Sequence, residues 1–226
     1  WSEDHRHRGR EADAFRDFRA TGIRASGFRT CALLRVTELP TAAAWRHVGA
    51  RDGFEVLFLQ QEEDGYRFLG HATAVEEGVA WSVGYTITVD AGWATRTVQV
   101  LSRSTAGERG VRIERHPTAG WRVNGRHAAE LADCEDVDLE ASVFTNAFPV
   151  HRLRLEVGES ADAPAAYVRA PNLRVGRLEQ RYLRLPDDGA RIRYDYESPA
   201  FEYRDILVYD EHGLILGYPG IAQRIA

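Results

Sequence analysis

Val79-Ala-Trp-Ser-Val-Gly-Tyr-Thr-Ile-Thr-Val89 alternates without a break. Val79, Trp81, Val83, Tyr85, Ile87 and Val89 fall on one side of an extended chain, and Ala80, Ser82, Gly84, Thr86 and Thr88 on the other. A period of two held this long predicts an amphipathic β-strand with the aromatic row buried. The same alternation returns with charge on its outer side: Leu153, Leu155 and Val157 against Arg152, Arg154 and Glu156, then Ile192, Tyr194 and Tyr196 against Arg191, Arg193, Asp195 and Glu197. Strands with one wet face belong to antiparallel sheets, because parallel strands are covered on both sides and read as continuous apolar runs.

Turn chemistry separates these segments at Glu63-Asp64-Gly65, Glu76-Glu77-Gly78, Ala106-Gly107, Asn124-Gly125, Asp187-Asp188-Gly189 and Glu211-His212-Gly213. Asn124-Gly125 is the sharpest hairpin signal, since a type I′ turn needs positive φ at both central residues. No stretch after Pro40 keeps a long helical period, so the chain is expected to be all-β with about a dozen strands. A sheet of that size must curl, close or split in two.

Among 226 residues, 44% are hydrophobic and 28% charged, a balance that supports one sizeable core. The net charge of −5 gives no electrostatic reason to expect a nucleic-acid partner. All 29 basic residues are Arg, and Met is absent even at position 1, which suggests a processed or truncated start. No apolar run approaches the roughly 20 residues that cross a bilayer, so no integral membrane association and a cytoplasmic location are expected. Residues 1–39 read as a flexible Arg-rich tail and residues 40–226 as the folded β domain. The two cysteines, Cys31 and Cys134, are expected to lie too far apart for a disulfide.

Known chemical motifs are missing: there is no glycine-rich phosphate loop, no Cys-x-x-Cys and no His-Glu-x-x-His, so neither a cofactor nor a metal is expected. Ser160 lacks the flanks of a nucleophile elbow. Cys134 stands beside Glu135 and Asp136, which disfavour a thiolate, and reads as an inert thiol. One segment is unusual. Asp136, Asp138 and Glu140 alternate with Val137 and Leu139, placing carboxylates about 7 Å apart on one face, where they repel unless something cationic or hydroxylated lies over them. They either pair with arginines or line a polar ligand site.

Asp90-Ala-Gly-Trp93 with Arg96, Gly120-Trp121-x-Val-Asn-Gly125, Cys134-x-Asp-Val-Asp-Leu139, Ser142-x-Phe-Thr-Asn146 with Pro149, Ala166-Tyr-Val168 with Pro171, Gln180-Arg-Tyr182, and Asp210-x-x-Gly213 with Tyr218-Pro-Gly220 together resemble the bacterial putative glycolipid-binding family. The likeness runs from about Trp45 to the C-terminus. It implies an all-β, mainly antiparallel fold: a large curled sheet resembling a partly open barrel. It also implies binding of a glycolipid or similar amphiphile, with acyl chains in an apolar hollow and sugar at its rim. No catalytic residues carry over.

Asp136, Asp138, Thr145 and Asn146 are accordingly expected to form a polar ligand-binding cluster near the mouth of the curl. Asp90, Trp93 and Arg96 are expected as neighbours, with Asn146 bridging and Arg96 forking onto a carboxylate. The leading reading is a non-catalytic binding or carrier module. The alternatives are a small-substrate hydrolase using Asp136 or Asp138 as general base, and a protein-interaction domain.

Overall fold

The computed structural model describes residues 39–226; the expectations for the tail and for Cys31 fall outside the described residues. Strands dominate. β1 (Ala42–His47), β2 (Arg51–Glu62), β3 (Gly65–Glu76), β4 (Val79–Asp90), β5 (Thr95–Ser104) and β6 (Gly107–His116) form a run of hairpins, followed by the short β7 (Gly120–Val123) and β8 (Arg126–His127). After β9 (Asp136–Leu139) and α1 (Ala147–Leu153) come β10 (Ser160–Asp162), β11 (Ala165–Val168) and β12 (Val175–Leu178). A second run comprises β13 (Arg181–Asp188), β14 (Arg191–Ser198), β15 (Tyr203–Tyr209), β16 (Ile215–Tyr218) and β17 (Ala222–Arg224).

Fourteen of these strands make one sheet, in the order β10-β13-β14-β15-β16-β17-β1-β2-β3-β4-β5-β6-β7-β8. Every pairing in it is antiparallel. The two hairpin runs are joined where the last strand meets the first, with Trp45 opposite Arg224. The sheet curls without closing into a barrel. A small second sheet, β12-β11-β9, contains the one parallel pairing among the described residues, Asp138 opposite Tyr167.

β4 behaves as its period dictates. Trp81, Val83, Tyr85, Ile87 and Val89 are buried, and Ser82, Gly84, Thr86 and Thr88 are half-buried. Val79 and Ala80, directly after the Glu77-Gly78 turn, are exposed. The Asn124-Gly125 turn has positive φ at both residues, 50° and 78°, as a type I′ hairpin requires.

The alternation at Leu153, Leu155 and Val157 does not form a strand. Residues 147–153 are helical, and Arg154, at φ 48°, ends the helix in the left-handed conformation. This helix belongs to a segment that fills the concave side of the curl: Ala141 through Val150 are all buried. Phe144 and Phe148 pack on Phe68 of β3 at 4.7 and 5.5 Å between ring centres, and Phe144 also meets Trp45 of β1 at 6.5 Å. Each fully buried aromatic of this kind contributes about 2–3 kcal/mol from burial, so the segment is a plug that completes the core. Trp45 keeps its indole satisfied by donating to the Ile215 carbonyl at 2.7 Å.

Candidate functional site

The plug carries most of the polar chemistry in the interior. Glu55 points inward from β2 and is fully buried. Its carboxylate accepts hydrogen bonds from the Tyr85 hydroxyl at 2.5 Å, from the Ser142 hydroxyl, and from the Val143 backbone N–H at 2.9 Å. Burial raises its pKa, and the bonds from Ser142, Tyr85 and the Val143 and Phe144 backbone oppose that rise. Tyr85 reaches Glu55 by lying over Gly70, where a Cβ would stand 1.9 Å from the phenol ring. Glycine is therefore required there by contact rather than by backbone conformation.

Asp136 and Asp138 project from one side of β9 and are both buried. Asp136 is held by Arg152 of α1, whose Nε and Nη2 donate at 3.0 and 2.6 Å in a fork. Asp138 accepts from the Thr145 hydroxyl at 2.8 Å and from Gln180 Nε2 at 2.5 Å. Burial pushes its carboxyl up to about 6, against the pull of those two bonds. Asn146 accepts from the Tyr182 hydroxyl at 2.8 Å, and its backbone carbonyl accepts from Tyr209. Gln180 also donates to the Tyr196 hydroxyl at 2.9 Å, which ties Asp138 into the tyrosines of β13 and β14.

The structure thus brings Asp138 and Thr145 into direct contact, with Asn146 one residue on. The fork expected from Arg96 comes from Arg152 instead: Arg96 faces solvent on β5, while Arg152 reaches Asp136 from the helix that replaced the expected strand. Asn146 bonds Tyr182 rather than bridging the carboxylates. Asp90 and Trp93 lie in the β4–β5 turn. Asp90 Oδ1 accepts the Gly92 and Ala94 N–H groups at 2.9 and 3.0 Å. Trp93, at φ 70°, stacks on His151 of α1 with ring centres 3.6 Å apart and planes within 4°.

The β15–β16 turn repeats this design. Asp210 Oδ1 accepts from His212 and Leu214, each at 2.9 Å, and Gly213 abuts the His151 ring, where a Cβ would stand 2.7 Å from Nε2. In contact with both turns, His151 is pushed down to about 3 by burial, so it stays neutral.

Glu55, Arg152 and Gln180 were not anticipated as site residues. Gln180 and Tyr182 lay within the motif that carried the resemblance, and Tyr196 lay in the inner row of an alternating strand. Glu55 had no comparable signal. Cys134 is buried, and burial pushes its thiol up to about 11. Among the described residues no three His, Cys, Asp or Glu side chains converge as metal ligands, and no helix is long and apolar enough to cross a membrane.

Open volume lies elsewhere. A groove of about 650 Å³ crosses the outer side of β15, β16 and β17. Its walls are Val48, Ile206, Val208, Leu216 and Pro219, with Arg191 and Arg224 also in its lining. A Cβ at Gly217, in the groove lining, would meet nothing within 4 Å. Arg224 is already paired with Asp210 at 2.5 Å. A second, polar cleft of about 440 Å³ is lined by Arg109, Asn124, Glu130 and Asn172. The Oδ1 atoms of both its asparagines are committed to backbone N–H groups nearby.

The chain resembles a crystal structure of a DUF1089 family protein from Pseudomonas aeruginosa, at 30% identity and a TM-score of 0.65, over 76% of this chain and 92% of that one. A search of curated proteins gave no match. Residues 42–224, nearly all of the described structure, match the family described as putative glycolipid-binding. The chain belongs to that family.

Proposed function

We propose that this chain is a non-catalytic binding or carrier module for a glycolipid or similar amphiphile, and that the apolar part of the ligand lies in the groove over β15–β17. The observation that carries this reading is the groove itself: an open, mainly aliphatic volume whose lining includes Gly217, with open space where a side chain would stand. Small-molecule sites combine such walls with a few polar groups that fix orientation, and the Arg191 guanidinium supplies one. The hollow of the curl was the expected place for acyl chains. It is occupied by Phe144, Phe148 and their neighbours, so the ligand is assigned to the outside.

Within this reading Asp136, Asp138, Thr145 and Asn146 hold the plug, Asp90 and Trp93 shape the turn that clamps it, and Arg96 remains a surface group. A hydrolase would need a carboxylate facing substrate beside an acid or nucleophile. Asp136 is instead spent on Arg152, and Asp138 on Thr145 and Gln180. Native mass spectrometry of the recombinant full chain tests the binding reading. A retained amphiphile at one per chain, reduced in Gly217→Leu, supports it; retention unchanged in Gly217→Leu rejects the groove.

A further inference from the structure

The two halves of the large sheet present different outer faces. On β14 the outward row is Arg191, Arg193, Asp195 and Glu197, the charged surface that an antiparallel sheet normally shows to water. On β1–β5 the middle outward row is Ala44, Val56, His71, Gly84 and Leu101, aligned across five strands by the ladder register. The rows on either side add Phe54 and Phe58, which are 49% and 56% exposed. β2 therefore turns three large apolar side chains to solvent and buries Glu55 beneath them.

The centre of this face carries little side-chain relief. His71 lies across the neighbouring strand, with Nδ1 3.2 Å from where a Cβ at Gly84 would be. Charges appear only around it and are matched there: Arg46 with Asp52 at 3.7 Å, Arg67 with Glu62 at 3.7 Å, and Arg103 with Glu108 at 2.7 Å.

We propose that the outer face of β1–β5 is a dimerisation surface on which a second copy of this chain packs sheet against sheet. The size fits. β2, β3 and β4 have 12 residues each, and two such faces crossed at the usual angle of about 30°, with the paired charges of the rim included, would cover about 800 Å² per copy, the area of a standard stable interface. Two copies related by a two-fold axis place the uncharged middle and Phe58 rows of one over those of the other, with Phe54 and Phe58 as anchors and Arg46 and Arg103 at the two ends of the Phe54 row. The paired rim argues against an anionic membrane, which would call for unpaired cations around the apolar centre. The surface is separate from the groove, and the dimer does not depend on ligand.

The test is sedimentation velocity of the full chain across about 1 to 100 μM, for the natural sequence and for Val56→Glu and Phe58→Glu, with thermal unfolding of each. The dimer predicts a concentration-dependent shift to twice the monomer mass, weakened at least about 100-fold in either variant, because a charge buried without a partner is strongly unfavourable. Phe58→Thr keeps strand propensity without adding charge and serves where a Glu variant fails to fold; it too should weaken the dimer. A chain that stays monomeric throughout, or a dimer that all three variants leave intact, overturns the proposal. So does a monomer that floats with phosphatidylcholine vesicles, which would assign the face to a lipid surface.

Discussion

The Glu55 carboxylate accepts the backbone N–H of Val143, 88 residues later in the chain, at 2.9 Å. Through that bond, and those of Tyr85 and Ser142 to the same carboxylate, strands β2 and β4 grip the plug at its turn into α1. These bonds tie the curl to its filling. Glu55→Ala leaves two buried hydroxyls and a backbone donor without their acceptor, and should lower the free energy of unfolding by about 3 kcal/mol. Glu55→Gln keeps one carbonyl acceptor and should lose less. Urea unfolding measures both; a Glu55→Ala protein as stable as the parent contradicts the clamp.

Arg152 and Arg96 make an opposed pair. Removing the guanidinium from Arg152 leaves Asp136 as a buried, unpaired carboxylate, and Arg152→Ala should cost about 3–5 kcal/mol. Arg96 is exposed, and Arg96→Ala should fall within about 0.5 kcal/mol of the parent. Chemical denaturation of the two variants decides whether the fork comes from the helix or from β5.

Asp138 leaves a signature in pH. Its carboxyl, raised by burial to about 6, holds its proton more tightly folded than unfolded. Its contribution to stability therefore falls as pH rises from about 4 to about 6, and is level on either side. Asp138→Asn abolishes that fall. His47 and His151, pushed by burial down to about 4 and about 3, act with the opposite sign as pH drops below about 6.5. The informative quantity is thus the difference between variant and parent: in thermal unfolding from pH 4 to 7, Asp138→Asn should gain stability relative to the parent as pH rises. A constant difference would mean that Asp138 titrates normally.

Alternation with one wet face marked true strands at β4 and β14 but not at 152–157, which holds the end of α1 and the loop after it. β4 and β14 kept their alternation, and the glycine turns fell between strands because positive φ admits few other residues. β2 could not be oriented from its residues alone: Phe54, Val56 and Phe58 alternate with Glu55, Leu57 and Leu59, and the row containing the acid is the buried one. α1 escaped notice because Ala147, Phe148, Pro149 and Val150 are all buried, so no polar face marks a helical period. The pairing of Asp136 and Asp138 on one face of β9 was legible from spacing. Their partners Arg152 and Gln180 were not, since those contacts depend on how the plug and β13 come together.

Binding in the outer groove is tested most directly by titrating the full chain with 11-(dansylamino)undecanoic acid, whose chain ends in a carboxylate, and following its fluorescence. The natural sequence should bind at one probe per chain; Gly217→Leu, which places a side chain in the groove, should lose at least about tenfold in affinity; Asp138→Asn, inside the curl, should bind as the parent does. Undiminished binding by Gly217→Leu, with binding lost in Asp138→Asn, would contradict the account and move the ligand into the interior.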